Sequence, residues 1–337
     1  MIEKKEYVLE VDDLTVHYEM EKETVKAVNG INLKLEKGKT LGLVGETGAG
    51  KTTTALAILN LVPNPPGVIK NGNIKVCGHD MLSLSQKELE RVRGKEISMI
   101  FQDPMTSLNP VFTVCDQIAE SIIIHEKLSK KEAHEKAIQL LELVGIPADR
   151  AYEYPHQFSG GMKQRVVISI ALACNPQLLI ADEPTTALDV TIQAQVLDLM
   201  HRLREQNQTS MIMITHDLGI IAESCDDVAV MYAGSIVEQG TLHEVFNDTK
   251  HPYTQGLFDS LPDIENRKAE LKPIPGLMPD PTNLPDGCAF APRCPYATEE
   301  CMHIKPTKHQ FSDTHIVACL AYNNADFKLH REEDTRE

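Results

Sequence analysis

The sequence predicts an α/β chain built around a parallel sheet, and three observations carry that prediction. Short, almost continuously apolar runs recur at residues 40–44, 97–101, 178–181 and 211–215, as strands covered on both faces require. Helical patterns separate them. Ser129 and Glu132 have capping-box spacing, Ala137, Leu140, Leu141 and Val144 follow on one face, and Gly145 and Pro147 stop the helix. A glycine-rich loop joins one of the strands to the helix-compatible run TTTALAILNL.

Ahead of this core, Leu9, Val11, Leu14, Val16 and Tyr18 alternate with polar residues, the mark of one or two half-buried strands with a turn at Asp12 and Asp13. Near residue 262 the composition changes to a proline-rich text, KPIPGLMPDPTNLPDG, which suits neither sheet nor helix interior. The expected boundary lies between 250 and 265, with a small loop-rich unit after it.

Size and charge narrow the function. The 337 residues suggest about two domains. Lys and Arg number 33 against 49 Asp and Glu, a net charge of −16. That balance argues against a broad basic face for nucleic acid and against attachment to anionic lipid by charge alone. The longest apolar run, 166–174, is far short of the roughly 18 residues a membrane helix needs. The stretch MIEKKEYVLEVDD lacks the apolar core of a signal peptide. The expectation is a soluble cytoplasmic chain that reaches a membrane only through a protein partner.

The loop Gly45, Glu46, Thr47, Gly48, Ala49, Gly50, Lys51, Thr52 fits G-x-x-x-x-G-K-S/T, followed by Thr53. It sits between a strand and a helix, the context that motif needs. Its amides can curl around a β-phosphate at a helix N-terminus, Lys51 can reach the β- and γ-phosphates, and the Thr52 hydroxyl can ligate Mg²⁺. A glycine turn with a chance lysine would not match eight positions in context.

The run LLIADE is a buried strand ending in two carboxylates. Asp182 at its tip can hold Mg²⁺ through water, and Glu183 can polarise an attacking water as general base. Taken alone, such acids could equally cap a helix; a phosphate loop about 130 residues earlier favours the catalytic reading. His216 follows the next apolar strand, MIMITHD, where it is either structural or a γ-phosphate contact.

The segment FSGGMKQR, with Ser159, Gly160 and Gly161 about 20 residues before the acidic strand, is similar to the signature motif of ABC-transporter ATPases. The resemblance covers roughly residues 7–250. It implies that Tyr18 stacks on adenine, that Gln102 of FQDP senses the γ-phosphate and the metal, that Ala187, Leu188 and Asp189 form the D-loop, and that His216 is the switch histidine. Met162 departs from the glutamine usual at that position. FSGGMKQR, FQDPMTSLNP and ADEPTTALDVTIQAQVL all resemble the oligopeptide and dipeptide importer branch. The implied fold is a RecA-like parallel sheet core with an antiparallel β subdomain and a helical subdomain at about 104–175, together residues 1–250, and an extension over 251–337. The implied activity is hydrolysis of ATP to ADP and phosphate. In such a family the signature, a second anion site at a helix N-terminus, closes over ATP held by a partner. The implied partners are a second homologous ATPase (or a second copy), two transmembrane permease subunits and an external peptide-binding protein. The implied location is the cytoplasmic face of the membrane, held there by the permease. Importers of nickel or oligosaccharides share these motifs.

Cys288, Cys294, Cys301 and Cys319 crowd the tail as C-x5-C-x6-C-x17-C. Four thiolates can hold a 4Fe–4S cluster or a tetrahedral zinc; the zinc-ribbon C-x2-C pairs are absent, and the tail's resemblance to that of peptide-importer ATPases implies the cluster. A structural staple for a tail with little core is the expected role, redox sensing the alternative. His303, His309 and His315 are read as surface residues. Cys77, Cys115, Cys174 and Cys225 are read as small core residues.

Overall fold

The computed structural model describes residues 6–186, 188–261 and 272–329. Ala187 of the expected D-loop and the first ten residues of the proline-rich stretch, 262–271, lie outside the described residues.

The chain forms two sheets. Strands β1 (Tyr7–Glu19), β2 (Thr24–Glu36), β3 (Thr40–Val44), β4 (Gly67–Val76), β5 (His79–Asp80), β6 (Ile97–Ile100), β7 (Leu178–Asp182), β8 (Ser210–Ile214), β9 (Asp227–Tyr232), β10 (Ser235–Thr241), β11 (Lys308–Gln310) and β12 (Ile316–Ala318) follow in chain order. An antiparallel sheet runs β2-β1-β4-β5, and a mixed sheet runs β11-β12-β10-β9-β3-β8-β7-β6. Strands β9, β3, β8, β7 and β6 are mutually parallel. The helices are α1 (Lys51–Ile58), α2 (Gln86–Val92), α3 (Pro104–Ser107), α4 (Val114–Glu126), α5 (Lys130–Leu143), α6 (Gly160–Leu172), α7 (Val190–Asn207), α8 (Leu218–Ser224), α9 (Leu242–Asn247), α10 (Pro252–Asp259) and α11 (Glu299–His303).

The continuous apolar strands are explained by burial on both sides. Leu178 and Ile180 of β7 pack with the antiparallel sheet and α1, whereas Leu179 and Ala181 pack with α4 to α8. Every residue of β3, β7 and β8 is buried. Helix α5 has the predicted capping box, Ser129 to Glu132. Residues 7–18 depart from prediction in one respect: the chain does not turn at Asp12 and Asp13. It stays in one strand through a bulge, with Asp13 at φ 47 and the β1–β2 register shifting between Val11 and Leu14.

The C-terminal stretch is stitched onto the main sheet. Strand β12 pairs with β10, Glu238 opposite Val317. Glu238 is fully buried and accepts from Lys250 N (2.7 Å), His251 N (2.9 Å) and His315 Nε2 (2.9 Å). The surface reading of His315 is therefore corrected: it is 1% exposed, because a buried carboxylate needs its ring N–H. Cys115 and Cys225 lie in the core, and Cys77 and Cys174 are half-buried. Among the described residues, no helix is long and apolar enough to cross a membrane.

Candidate functional site

The phosphate loop leaves β3 and enters α1. Gly45 has φ 153, and a Cβ there would fall 2.1 Å from the Met231 carbonyl oxygen; at Gly50, with φ 101, it would fall 2.3 Å from that of Ala27. Only glycine fits those two close backbone approaches. Lys51 opens α1 and is buried. Its Nζ donates to Gly45 O (2.7 Å) and Glu46 O (3.1 Å), inside the loop it is expected to bridge to phosphate. Burial lowers its pKa, against the opposing charges of Glu183, Asp182 and Glu46.

Strand β7 delivers the two carboxylates. Asp182 is 2% exposed and hydrogen-bonded to the Thr52 side chain; burial pushes its carboxyl above the usual range, with Thr52 opposing and the Glu183 charge adding to the rise. Asp182, bonded to the Thr52 hydroxyl, offers hard oxygens of the kind a divalent cation takes, whereas Gln102, the third expected donor, is bonded to Glu183. Glu183 adopts a left-handed backbone, φ 45, a conformation held against its own cost by the surroundings. Its Oε2 accepts from Gln102 Nε2 (3.0 Å) and Thr186 Oγ1 (2.9 Å), and its Oε1 meets His216 Nδ1 (3.1 Å). Burial raises the Glu183 pKa, but the His216 and Thr186 hydrogen bonds, the His216 charge and Gln102 outweigh it and leave the carboxyl below its ordinary value. It is therefore ionised at neutral pH, as an acceptor of a proton from water must be.

These residues face one open cavity of about 430 Å³, lined by Tyr18, Lys51, Thr52, Gln102, Glu183 and His216, with Thr47, Gly48, Gly50 and Thr53 at its floor. That size suits a nucleotide-scale ligand. The Tyr18 hydroxyl lies 3.4 Å from Thr53 Oγ1. The expected nucleotide residues from β1, the phosphate loop, β7 and the strand β8 end thus converge.

The signature residues stand elsewhere. Ser159 is the N-cap of α6, and Gly160 and Gly161 form its first turn; none of them lines this cavity. Gly160 is exposed, with no atom nearer than 4.0 Å to a Cβ built there, whereas at Gly161 that Cβ would fall 2.6 Å from Ile192 Cγ2 on α7. Asp189 caps α7, accepting from Ile192 N (3.0 Å).

Four contributors escape sequence reasoning, among them Tyr253, whose hydroxyl accepts from Glu46 N (2.9 Å). Thr186 is three residues from Glu183 in DEPTT, a spacing that could have flagged it. Pro281 lines the cavity and Arg293 grips Glu46 from the C-terminal stretch; nothing local in the sequence points to either.

Cys288, Cys294, Cys301 and Cys319 line one small cavity of about 20 Å³ beside Phe290 and Tyr296. All are free thiols. Burial, with the neighbouring thiols adding to it, pushes Cys294 up to about 12 and Cys319 up to about 11. Among the described residues, no three His, Cys, Asp or Glu side chains form a metal-binding group. The expected metal-binding extension is therefore not supported beyond the meeting of the four cysteines around a space of about 20 Å³, little larger than a water molecule.

Comparison with known proteins places the chain. The "ABC transporter" family model matches residues 28–186, and the "Oligopeptide/dipeptide transporter, C-terminal region" model matches 237–301. The oligopeptide transport ATP-binding protein OppD of Bacillus subtilis is 55% identical over 92% of this chain and 87% of its own length. The dipeptide transport ATP-binding protein DppD of the same organism is 48% identical over 93% of this chain and 94% of its own. Among solved structures, a dimeric post-hydrolysis state of the ATP-binding cassette MJ0796 bound to ADP and Pi matches with TM-score 0.63 at 26% identity, over 69% of this chain and 98% of that one.

Proposed function

Because the chain belongs to the family of ABC-transporter ATP-binding subunits of peptide importers, we propose that it hydrolyses ATP to drive uptake of di- or oligopeptides. The observation that carries this reading is Glu183, held ionised by Gln102, Thr186 and His216 in a cavity that the phosphate loop also lines. In this reading Tyr18 packs on the adenine. Residues 45–53 cradle the phosphates and Lys51 leaves its carbonyl partners for them. Glu183 takes the proton of the attacking water, and His216 and Gln102 orient Glu183 and the γ-phosphate. Mg²⁺, held by Thr52, Gln102 and Asp182, would neutralise phosphate charge.

Ser159, Gly160, Gly161 and Asp189 serve a second nucleotide site. The exposure of Ser159, Gly160 and Asp189 at the start of α6 and α7, away from their own chain's cavity, supports closure over ATP on a partner. That partner is a homologous ATPase or a second copy. Residues 104–175 carry exposed Val111, Phe112 and Ile124, which supports docking of a permease there and peripheral attachment to the cytoplasmic face of the membrane. An external peptide-binding protein completes the importer. Cargo sets the alternative reading, an importer of nickel or oligosaccharides; the identity to peptide transporters favours peptides.

A 4Fe–4S cluster, with zinc as the alternative, belongs to the same proposal. Its support is donor chemistry: four thiols at one cavity. The four sulfurs would bind such a centre as thiolates.

The test is ATP turnover by the purified chain with its partner subunits. Glu183→Gln should lower turnover at least about a hundredfold with ATP still bound. Equal turnover in variant and wild type removes the general-base assignment.

A further inference from the structure

The nucleotide cavity has a wall that the ATPase core does not supply. Pro281 lines it, and the Pro281 carbonyl accepts from Lys26 N (2.9 Å) on β2. Three residues earlier, the Met278 methyl sits where a Cβ on Gly48 would come within 2.9 Å. A strap over residues 274–281 therefore crosses the phosphate loop.

Arg293 fastens that strap. It is 8% exposed. Its Nε donates to Pro275 O (2.8 Å) and Nη2 to Ile274 O (3.3 Å), so its guanidinium holds the strap's start. The same guanidinium pairs bidentately with Glu46 in the phosphate loop, Nη1 to Oε2 at 2.7 Å and Nη2 to Oε1 at 3.0 Å. Nη1 also donates to the Tyr232 hydroxyl (3.3 Å). Glu46 is gripped at every polar group: its N–H donates to Tyr253 Oη (2.9 Å), and its carbonyl accepts from Lys51.

The charge arithmetic gives this contact a purpose. Glu46 places a carboxylate in a loop built to receive a polyanion, and an uncompensated negative charge there repels the ligand. A planar, bidentate, permanently charged partner neutralises it and fixes its direction. We propose that Arg293 is a positioning residue of the nucleotide site: by neutralising Glu46 and tying the strap across the phosphate loop, it makes the C-terminal extension a determinant of ATP affinity. This rests on the ATP-binding reading above.

The experiment measures ATP affinity of the full chain by calorimetry, with apo thermal unfolding alongside. Wild type and Lys51→Ala come first; if wild type shows no Lys51-dependent binding, the ATP reading itself fails. Given that binding, Arg293→Met should weaken ATP about tenfold, and Glu46→Gln added to it should restore most of the loss. With partner subunits present, Arg293→Met should raise KM for ATP far more than it lowers kcat. Unchanged affinity in Arg293→Met overturns the inference. So does a loss that Glu46→Gln fails to restore, since that pattern belongs to a residue that only supports the fold.

Discussion

Gln102 Nε2 donates to Glu183 Oε2 across 3.0 Å, joining the end of β6 to the end of β7. The bond ties the acid to a residue that would itself contact the metal and γ-phosphate. Gln102→Ala should therefore lower ATP turnover by about tenfold to a hundredfold while changing ATP affinity little. Steady-state kinetics beside calorimetric binding decide it; equal losses in both would mean that the residue only supports the pocket.

His216 acts on the same carboxylate from the other side, through a hydrogen bond and through charge, and both lower the Glu183 pKa. Removing them moves that pKa up. The acid limb of kcat against pH should accordingly shift to higher pH in His216→Gln, with turnover at neutral pH reduced. An acid limb at the wild-type position would show that His216 does not tune Glu183.

Gly160 and Gly161 make a paired test of the signature. Gly160→Ala meets only the Leu188 side chain at 4.0 Å, an ordinary contact, and should fold like wild type. Gly161→Ala drives a methyl into Ile192 and should cost on the order of 1–3 kcal/mol, read as a lower Tm. If Gly160 faces a partner's nucleotide, Gly160→Ala should bind ATP normally yet lose ATP-dependent pairing, measured by light scattering in a Glu183→Gln background. Pairing at wild-type strength would remove the lid role.

Much of this site was legible in sequence because its chemistry is local. The phosphate loop, the acidic strand end and His216 each sit at the end of an apolar strand, and a parallel sheet brings such ends to one edge. The partners Arg293, Tyr253 and Pro281 were not legible. Arg293 meets Glu46 across 247 positions, and an arginine between Pro292 and Cys294 carries no periodic or motif signal. The same limit hid His315, whose burial follows from Glu238 on a different strand. Two adjacent aspartates look alike in a turn and in a bulge; the pairing of β1 with β2 and β4 on both sides decides for the bulge at Asp13.

The cysteine pocket makes a prediction about metal. As purified anaerobically, the chain should absorb near about 400 nm and carry iron if a cluster fills the pocket; zinc without colour identifies the alternative. Cys294→Ser should lose the metal and lower the Tm if the centre staples the tail. Metal loss with an unchanged Tm and an unchanged proteolysis pattern of residues 272–329 would leave redox sensing as the role. A metal-free, folded wild type would remove the centre altogether.

His251 links the extension to pH. It is buried, its Nδ1 accepts from Tyr253 N (3.0 Å), and its ring is hydrogen-bonded to the Ala318 backbone. Nδ1 must stay unprotonated to accept. Burial, opposed by the Glu238 charge and the Ala318 bond, lowers its pKa from 6.5 to about 4. The unfolded chain therefore takes up a proton at a higher pH than the folded one. The stabilisation is complete above pH 6.5, falls as pH drops from there, and is gone near pH 4. Its full size is about 3 kcal/mol. Asn at this N-cap position can offer an acceptor without titrating. His251→Asn should thus flatten the fall of Tm between pH 7 and pH 4.5 relative to wild type, as read by thermal unfolding across that range. Parallel Tm curves for the two proteins would show that His251 is not the group that titrates.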